Sequence, residues 1–178
     1  MTTSELVLDA LDRVHELVPA VLKDLDREDI LWRPDPDSNP IGWLVWHLTR
    51  VEDDHLAKLA GVDQVWPGWA DRFGLPYPLK AHGYGMTSDE VGAFDVSSPD
   101  LLVDYAAAVA EQARSVVRGF APEDYDRVID TRWDPPVTVS ARLVSVIVEI
   151  SQHIGQAAYV KGLRERHVGG GSGWAGHV

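Results

Sequence analysis

Cysteine is absent from the 178-residue chain. Its absence excludes disulfide bonds, thiolate metal ligands and a cysteine nucleophile. A metal would have to be held by His, Asp or Glu, and thiol chemistry would need a thiol supplied from outside. Positive charge is also scarce, since 16 Lys and Arg residues stand against 28 Asp and Glu residues, for a formal net charge of −12. This balance argues against nucleic-acid binding through phosphates.

Long apolar runs are missing as well. No stretch of 18 or more apolar residues occurs, so the sequence predicts no membrane span. The start, MTTSELVLDALDRV, has neither the basic beginning nor the unbroken apolar segment of a secretory signal, and we expect a cytoplasmic protein. Serine-hydrolase, phosphate-loop and H-E-x-x-H motifs are absent too. The length fits one domain with a sizeable core.

Four segments have the apolar spacing of long helices. The first covers residues 4–26, with Ser4 as N-cap and a kink at Pro19. Asn39-Pro40 and Ser98-Pro99 are N-cap and first-position signals that begin the second and third helices. These two helices end near Gly61 and Gly119, and the fourth runs from Thr138 or Ser140 to about Arg166. The core stripe of the second helix consists of Ile41, Leu44, Leu48, Val51 and Leu59.

A long connector, residues 61–98, joins the second and third helices and contains many Gly, Pro and aromatic residues. Thr87 and Glu90 form a capping-box pattern that predicts a short helix through Phe94. Connectors of this length often cover binding sites, although this one could equally pack its aromatic residues over one end of the domain. Residues 121–128 predict one helical turn, and residues 131–140 predict a loop. No convincing strand is predicted.

The predicted fold is therefore all-α, a four-helix bundle with a long crossover connector between helices two and three. We place the bundle in residues 1–166. Residues 167–178, which include Trp174 and His177, are rich in glycine and predict a flexible tail.

Three polar residues on predicted core helices need an explanation. Glu149 and His153 are four residues apart and share one face of the fourth helix, beside its core arc, and His47 lies next to the core stripe of the second helix. Such groups are rarely buried without a partner. We predict that His47, Glu149 and His153 hold a divalent metal between two neighbouring helices. The alternative is local hydrogen bonding of each histidine and a simple i, i+4 pair.

Two imidazoles and one carboxylate would leave a coordination position open, as in hydrolytic zinc sites. A metal in such a site lowers the pKa of a bound water or thiol toward neutrality. A rival site is the run Glu52-Asp53-Asp54-His55, which contains one Glu-x-x-His motif. A di-iron centre needs two such motifs, so we interpret this run as a solvated acidic turn.

Other side chains have two interpretations each. Arg50 is a candidate for binding an anionic substrate group, or it pairs with Asp53 or Asp54. Trp43 and Tyr84 are candidates for lining a substrate pocket, or they belong to core and loop packing. His15 and His82 have no partner in the sequence pattern, and we expect both on the surface.

Three segments resemble the DinB-like proteins, in particular their actinobacterial branch. Residues 30–61 (ILWRPDPDSNPIGWLVWHLTRVEDDHLAKLAG) are similar to the first half of these proteins, residues 74–94 (GLPYPLKAHGYGMTSDEVGAF) to their connector, and residues 144–165 (VSVIVEISQHIGQAAYVKGLRE) to their last helix. The resemblance implies a four-helix bundle with a metal between helices. The pattern His47, Glu149, His153 matches the branch that contains mycothiol-dependent maleylpyruvate isomerase and related S-transferases.

By this resemblance the metal would be zinc, with nickel and iron as alternatives, and its cosubstrate would be a low-molecular-weight thiol such as mycothiol or bacillithiol. The expected function is thiol transfer to a small electrophile. Because the isomerase carries a further C-terminal domain, we do not expect maleylpyruvate isomerisation. A zinc-water hydrolase on the same three residues, or a non-catalytic, stress-related metal-binding bundle, are the alternatives. The resemblance also implies a homodimer.

Overall fold

The computed structural model describes residues 1–169 of the protein. The predicted tail lies outside the described residues from residue 170 onward, including Trp174 and His177. Seven α-helices and one small antiparallel sheet are present in the described part. The helices are α1 (Thr3–Leu22), α2 (Arg27–Leu31), α3 (Ile41–Ala60), α4 (Ala70–Phe73), α5 (Ser88–Gly92), α6 (Pro99–Gly119) and α7 (Val139–Val168).

The four long helices form a bundle, as predicted. α3 packs against α6 and α7, and α1 packs against the same two helices. α3 and α7 are therefore neighbours, which is the condition for their polar residues to meet. The five residues predicted as the α3 core stripe are all buried.

α3 is buried on nearly all sides, with 16 of its 20 residues shielded from solvent. The connector covers the side that the other long helices leave open. Trp46 of α3 contacts the rings of three connector residues, Trp66, Tyr77 and Phe94. A helix that is covered all round can bury polar residues only where other polar groups meet them.

Most predicted helix ends are confirmed, and a few shift. Ser98 caps α6, Gly61 ends α3 with a φ of 68°, and Thr87 and Glu90 form the predicted capping box of α5. α3 begins one residue later than predicted, with Pro40 as N-cap. α5 ends at Gly92 and not at Phe94, and α7 continues to Val168, beyond the predicted end at residue 166.

The first predicted helix, residues 4–26, ends four residues early, and a short helix that was not predicted follows it. α1 is capped by Thr2 and not by Ser4, because the Thr2 side chain and Glu5 form a capping box. The helix continues through Pro19 and ends at Leu22. Asp24 then adopts a φ of 62°, outside the helical range, and Asp26 caps α2 as a new start.

The segment between α6 and α7 contains a short sheet that the sequence did not predict. Residues Pro122–Asp126 form the expected single turn, as a 3-10 helix. Strand β1 (Val128–Asp130) then pairs antiparallel with strand β2 (Val137–Thr138). The sheet joins the start of α7 to the rest of the domain, since the Val139 amide donates to the carbonyl of Arg127.

Candidate metal centre

His47 is held in one orientation on the buried helix α3. Its side chain is 4% exposed, its ring stacks on Trp43 with centroids 4.8 Å apart, and Nδ1 is hydrogen-bonded to the carbonyl oxygen of His82 in the connector. A carbonyl oxygen can only accept, so Nδ1 carries the proton and Nε2 presents a lone pair. This is the arrangement that orients a metal-ligating histidine.

Glu149 and His153 lie on consecutive turns of α7 and face His47. Glu149 Oε1 is 3.2 Å from His153 Nε2 and 3.6 Å from His47 Nε2. His153 Nδ1 is 2.8 Å from Gln156 Oε1, which accepts a hydrogen bond from it. His153 therefore also directs Nε2 toward the cluster, and an outer partner fixes each of the two imidazoles.

The three side chains bring one ligand atom each to within 4.8 Å of the others. With both Nδ1 protons committed elsewhere, two nitrogen lone pairs and a carboxylate oxygen converge on one point. Burial is the largest cause of a lowered pKa at His47, and the nearby His153 lowers it further, which favours the neutral imidazole that metals bind. Three ligand atoms that converge on one point suit a cation.

The donor set fits a divalent metal such as zinc. Nitrogen and carboxylate oxygen are ordinary zinc ligands, and three protein ligands are characteristic of sites that keep a position open. Glu149 is the most accessible of the three, with its side chain 41% exposed. No other group of three or more ligating side chains with this geometry occurs among residues 1–169.

A cavity of about 190 Å³ opens beside the cluster, between α3 and α7. His47 and Glu149 lie in its wall, Val51 and Val146 form its apolar part, and His55 and His82 line it as well. The open side of the cluster thus faces a space large enough for a small molecule.

Comparison with known proteins places the chain in a family. The sequence profile of the DinB superfamily matches residues 10–157. The chain belongs to the DinB superfamily. The crystal structure of a conserved protein from Enterococcus faecalis superposes on this DinB protein with a TM-score of 0.86 and 32% sequence identity, over 95% of this chain and 99% of the other.

A second similarity is partial. The calcium-transporting ATPase CtpE of Mycolicibacterium smegmatis is 30% identical over 93 residues, which are 50% of the DinB chain and 12% of the transporter. Because the chain spans so little of the transporter's length, this match implies no shared activity. Within residues 1–169, no helix is both long enough and apolar enough to cross a membrane.

Arg50 does not reach the cavity of this DinB protein. Its side chain is 0% exposed, and its guanidinium donates to Asp53, to Gln64 and to the carbonyl of Ala81. Of the two interpretations that the sequence left open, pairing with a neighbouring acid is the one the structure shows. The predicted contact with an anionic substrate group is corrected, because every approach to the guanidinium is filled by protein.

Trp43 and Tyr84, the other two predicted substrate-binding residues, occupy different places. Trp43 is buried behind the His47 ring, where it supports a ligand and does not line the cavity. Tyr84 lines the cavity and is 85% exposed, so its position is consistent with substrate contact. Its role stays a prediction.

The run Glu52-Asp53-Asp54-His55 is not a solvated turn. Glu52 and Asp53 are buried, Asp54 is nearly so, and His55 lines the cavity. Glu52 pairs with His15 of α1 at 2.9 Å, which corrects the prediction that His15 is an unpaired surface residue. The position of Glu52 on its helix could be predicted from the sequence. Which residue of α1 would face it could not.

His82 was also expected to be a simple surface residue, and the structure gives it two roles. Its carbonyl fixes His47, and the residue lines the cavity. The adjacent Gly83 has a φ of 100°, and a Cβ at this position would lie 2.5 Å from His47 Nδ1. The connector therefore closes tightly over His47, and the only sequence sign of this contact was the glycine pair in HGYG.

Proposed function

We propose that this DinB protein is a metal-dependent S-transferase, which joins a low-molecular-weight thiol such as mycothiol to a small electrophile. His47, Glu149 and His153 would hold the metal. Bound there, a metal such as zinc lowers the pKa of a thiol toward neutrality, so that a thiolate is available at ordinary pH. In the reaction the thiol proton passes to solvent and the sulfur forms a bond to an electrophilic carbon. The bond from that carbon to its leaving group, such as a halide, breaks, and the leaving group departs with the electron pair.

The observation that carries this proposal is the open side of the cluster. Glu149 is accessible from the cavity, while outer partners fix both imidazoles. A closed structural site would instead be expected to have a fourth protein ligand. The chain has no cysteine, so the sulfur of this reaction must come from a cosubstrate.

The remaining residues would bind and orient the reactants. Val51 and Val146 offer an apolar surface to the electrophile, and Tyr84 at the mouth offers a ring and a hydroxyl. Trp43 and the His82 carbonyl prevent His47 from turning, so that Nε2 keeps its direction through the reaction.

The first test is metal content. Protein purified without chelators or a metal-affinity step should contain about one zinc per chain by mass spectrometry, as a site with three protein ligands predicts. His153→Ala should lose this metal. His167→Ala is the matched control, because His167 is an exposed histidine on the same helix. Metal-free native protein would favour a non-catalytic bundle and would contradict the proposal.

The second test is the product. Metal-loaded protein, a thiol (mycothiol or bacillithiol) and a model electrophile such as an alkyl halide should give the thioether by mass spectrometry, faster than without protein. The metal-free protein and His153→Ala should not accelerate this reaction. If the electrophile is instead consumed with incorporation of water oxygen and no thiol, the protein is a hydrolase on the same three residues.

A further inference from the structure

Arg142 is a partly buried arginine without a partner. It lies near the start of α7, and its guanidinium makes no ion pair or hydrogen bond with another group among residues 1–169. The nearby Asp130 is already held by Arg132, with two side-chain hydrogen bonds of 2.8 and 3.0 Å. An unpaired guanidinium is therefore free to meet a ligand.

The position of Arg142 relates it to the metal centre. Arg142 and Glu149 are seven residues apart, so they share one face of α7 at a distance of about 10 Å along the axis. Between them, Ser145 and Val146 line the cavity. Arg142 thus lies beyond the end of the cavity that is remote from the three ligands.

His55 reaches the same remote end from α3. It follows His47 by eight residues, about 12 Å along the helix. His55 lines the cavity. Burial is the largest cause of its lowered pKa, and the positive charge of Arg142 is the second. The two helices therefore place the metal ligands at one end of the cavity and His55 at the other, with Arg142 beyond it.

The charge around this end favours an anion. The one acidic group of the cavity wall besides Glu149 is Asp54, and it is occupied by Lys58 at 2.7 Å and by the Gln64 amide at 2.8 Å. The imidazoles of His55 and His82 make no ion pair with a carboxylate closer than 4.0 Å. In a protein with net charge −12, the Arg142 guanidinium is therefore a positive charge that no carboxylate of the cavity wall neutralises.

Building on the proposed function, we propose that His55 and Arg142 bind a carboxylate of the substrate. The substrate would then span the cavity, with its anionic group at Arg142 and its reacting atom at the metal end, about 10 Å away. A guanidinium matches a carboxylate in shape and charge, and the imidazole adds a hydrogen bond. The arrangement selects small anionic molecules of a defined length.

Thiols of graded length test this proposal on the zinc-loaded protein. Mercaptoalkanoates, HS–(CH₂)n–CO₂⁻, are compared with the mercaptoalcohols of equal length by calorimetry. At a length of about 10 Å the carboxylate should bind about 10-fold more tightly, which corresponds to one charge-assisted hydrogen bond. Arg142→Gln should abolish this preference. Arg118→Gln is the matched control, since Arg118 is an exposed, unpaired arginine of α6 among the described residues, and it should keep the preference.

A preference that survives Arg142→Gln, or that does not depend on chain length, would overturn the anion site. A second measurement separates this failure from failure of the proposed function. In metal-free protein, hexanoate but not hexanol should shift the NMR signals of the His55 imidazole and the Arg142 guanidinium, and no shift would also overturn the site. If hexanoate shifts these signals while zinc makes no difference to thiol binding, the anion site stands and the thiol function fails.

Discussion

Helix α3 contributes residues to two polar clusters that differ in how their groups meet. In the first, Arg50 meets Asp53, whose carboxylate also accepts hydrogen bonds from the Tyr105 hydroxyl and from the amides of Val65 and Trp66. In the second, Nε2 of His47, Nε2 of His153 and a carboxylate oxygen of Glu149 converge on one point. In the first cluster the two charges pair with each other, and only Nη2 of Arg50 has no hydrogen-bond partner, whereas the second cluster could hold a cation.

This difference indicates that one cluster contributes to stability and the other to function. A buried charge network stabilises a fold only when donors meet acceptors, and removing one member leaves the others unpaired. Converging acceptors contribute nothing comparable without a ligand. We therefore infer that the Arg50–Asp53 cluster has a structural role and that the His47–Glu149–His153 cluster has the functional one.

The two clusters are connected through the connector. Arg50 Nε donates to the carbonyl of Ala81, and the next carbonyl along the chain, that of His82, holds His47. Asp53 binds the other end of the same segment at Val65 and Trp66. The structural cluster thus positions the loop that orients the functional one.

The largest effect is expected from Asp53→Asn. The change leaves Arg50 buried without its counter-ion, so the free energy of unfolding in urea should fall by about 3–5 kcal/mol. Asp9→Asn is the control, because the Asp9 pair with Arg13 is exposed on α1 and should leave the unfolding midpoint nearly unchanged. A loss below about 1 kcal/mol for Asp53→Asn would remove the structural role.

Replacing the Glu149 carboxylate with an amide should weaken metal binding and should not lower stability. Glu149→Gln removes a metal ligand, so zinc affinity should fall more than about 100-fold, beyond the effect of losing an outer partner. In metal-free protein the new amide can donate to a histidine Nε2, so stability should be unchanged or rise by up to about 1 kcal/mol. Competition with a chelating dye and urea unfolding measure the two effects. Destabilisation as large as that of Asp53→Asn would erase the contrast between the clusters.

Gly83→Ala should weaken the metal site without removing a ligand. The added Cβ would meet His47 Nδ1, displace the His82 carbonyl and lower zinc affinity by about 10- to 100-fold. Gly85→Ala is a matched control, since Gly85 also has a positive φ, of 74°, but a Cβ there meets nothing within 4 Å. Equal losses in the two variants would mean that backbone strain, and not the contact with His47, explains the effect.

The smallest effect concerns the His15–Glu52 pair. Burial lowers the pKa of His15, but the hydrogen bond and charge of Glu52 more than offset it, and the pKa is raised. The stability that protonated His15 contributes is therefore complete below its unfolded pKa of about 6.5 and is lost as pH rises through the higher folded value. The unfolding free energy of metal-free wild type should exceed that of His15→Gln. This difference should be larger at about pH 6 than at about pH 9.

If wild type exceeds His15→Gln by the same unfolding free energy at both pH values, the raised pKa of His15 does not contribute to stability. His167→Gln serves as the reference, since His167 is exposed at the end of α7 and the variant should follow wild type at both pH values.

The sequence by itself determined the four long helices and most of their ends, because apolar spacing and capping residues act locally. It also determined the metal hypothesis, since Glu149 and His153 must share a face at i, i+4 on any helix. Only the tertiary structure decided that α3 and α7 are neighbours, that Arg50 faces Asp53 and not the cavity, and that His15 meets Glu52. These outcomes depend on which residues distant in sequence come to face each other, and local spacing carries no information about that. The same holds for His82 and Gly83, whose role exists only because the connector folds back over His47.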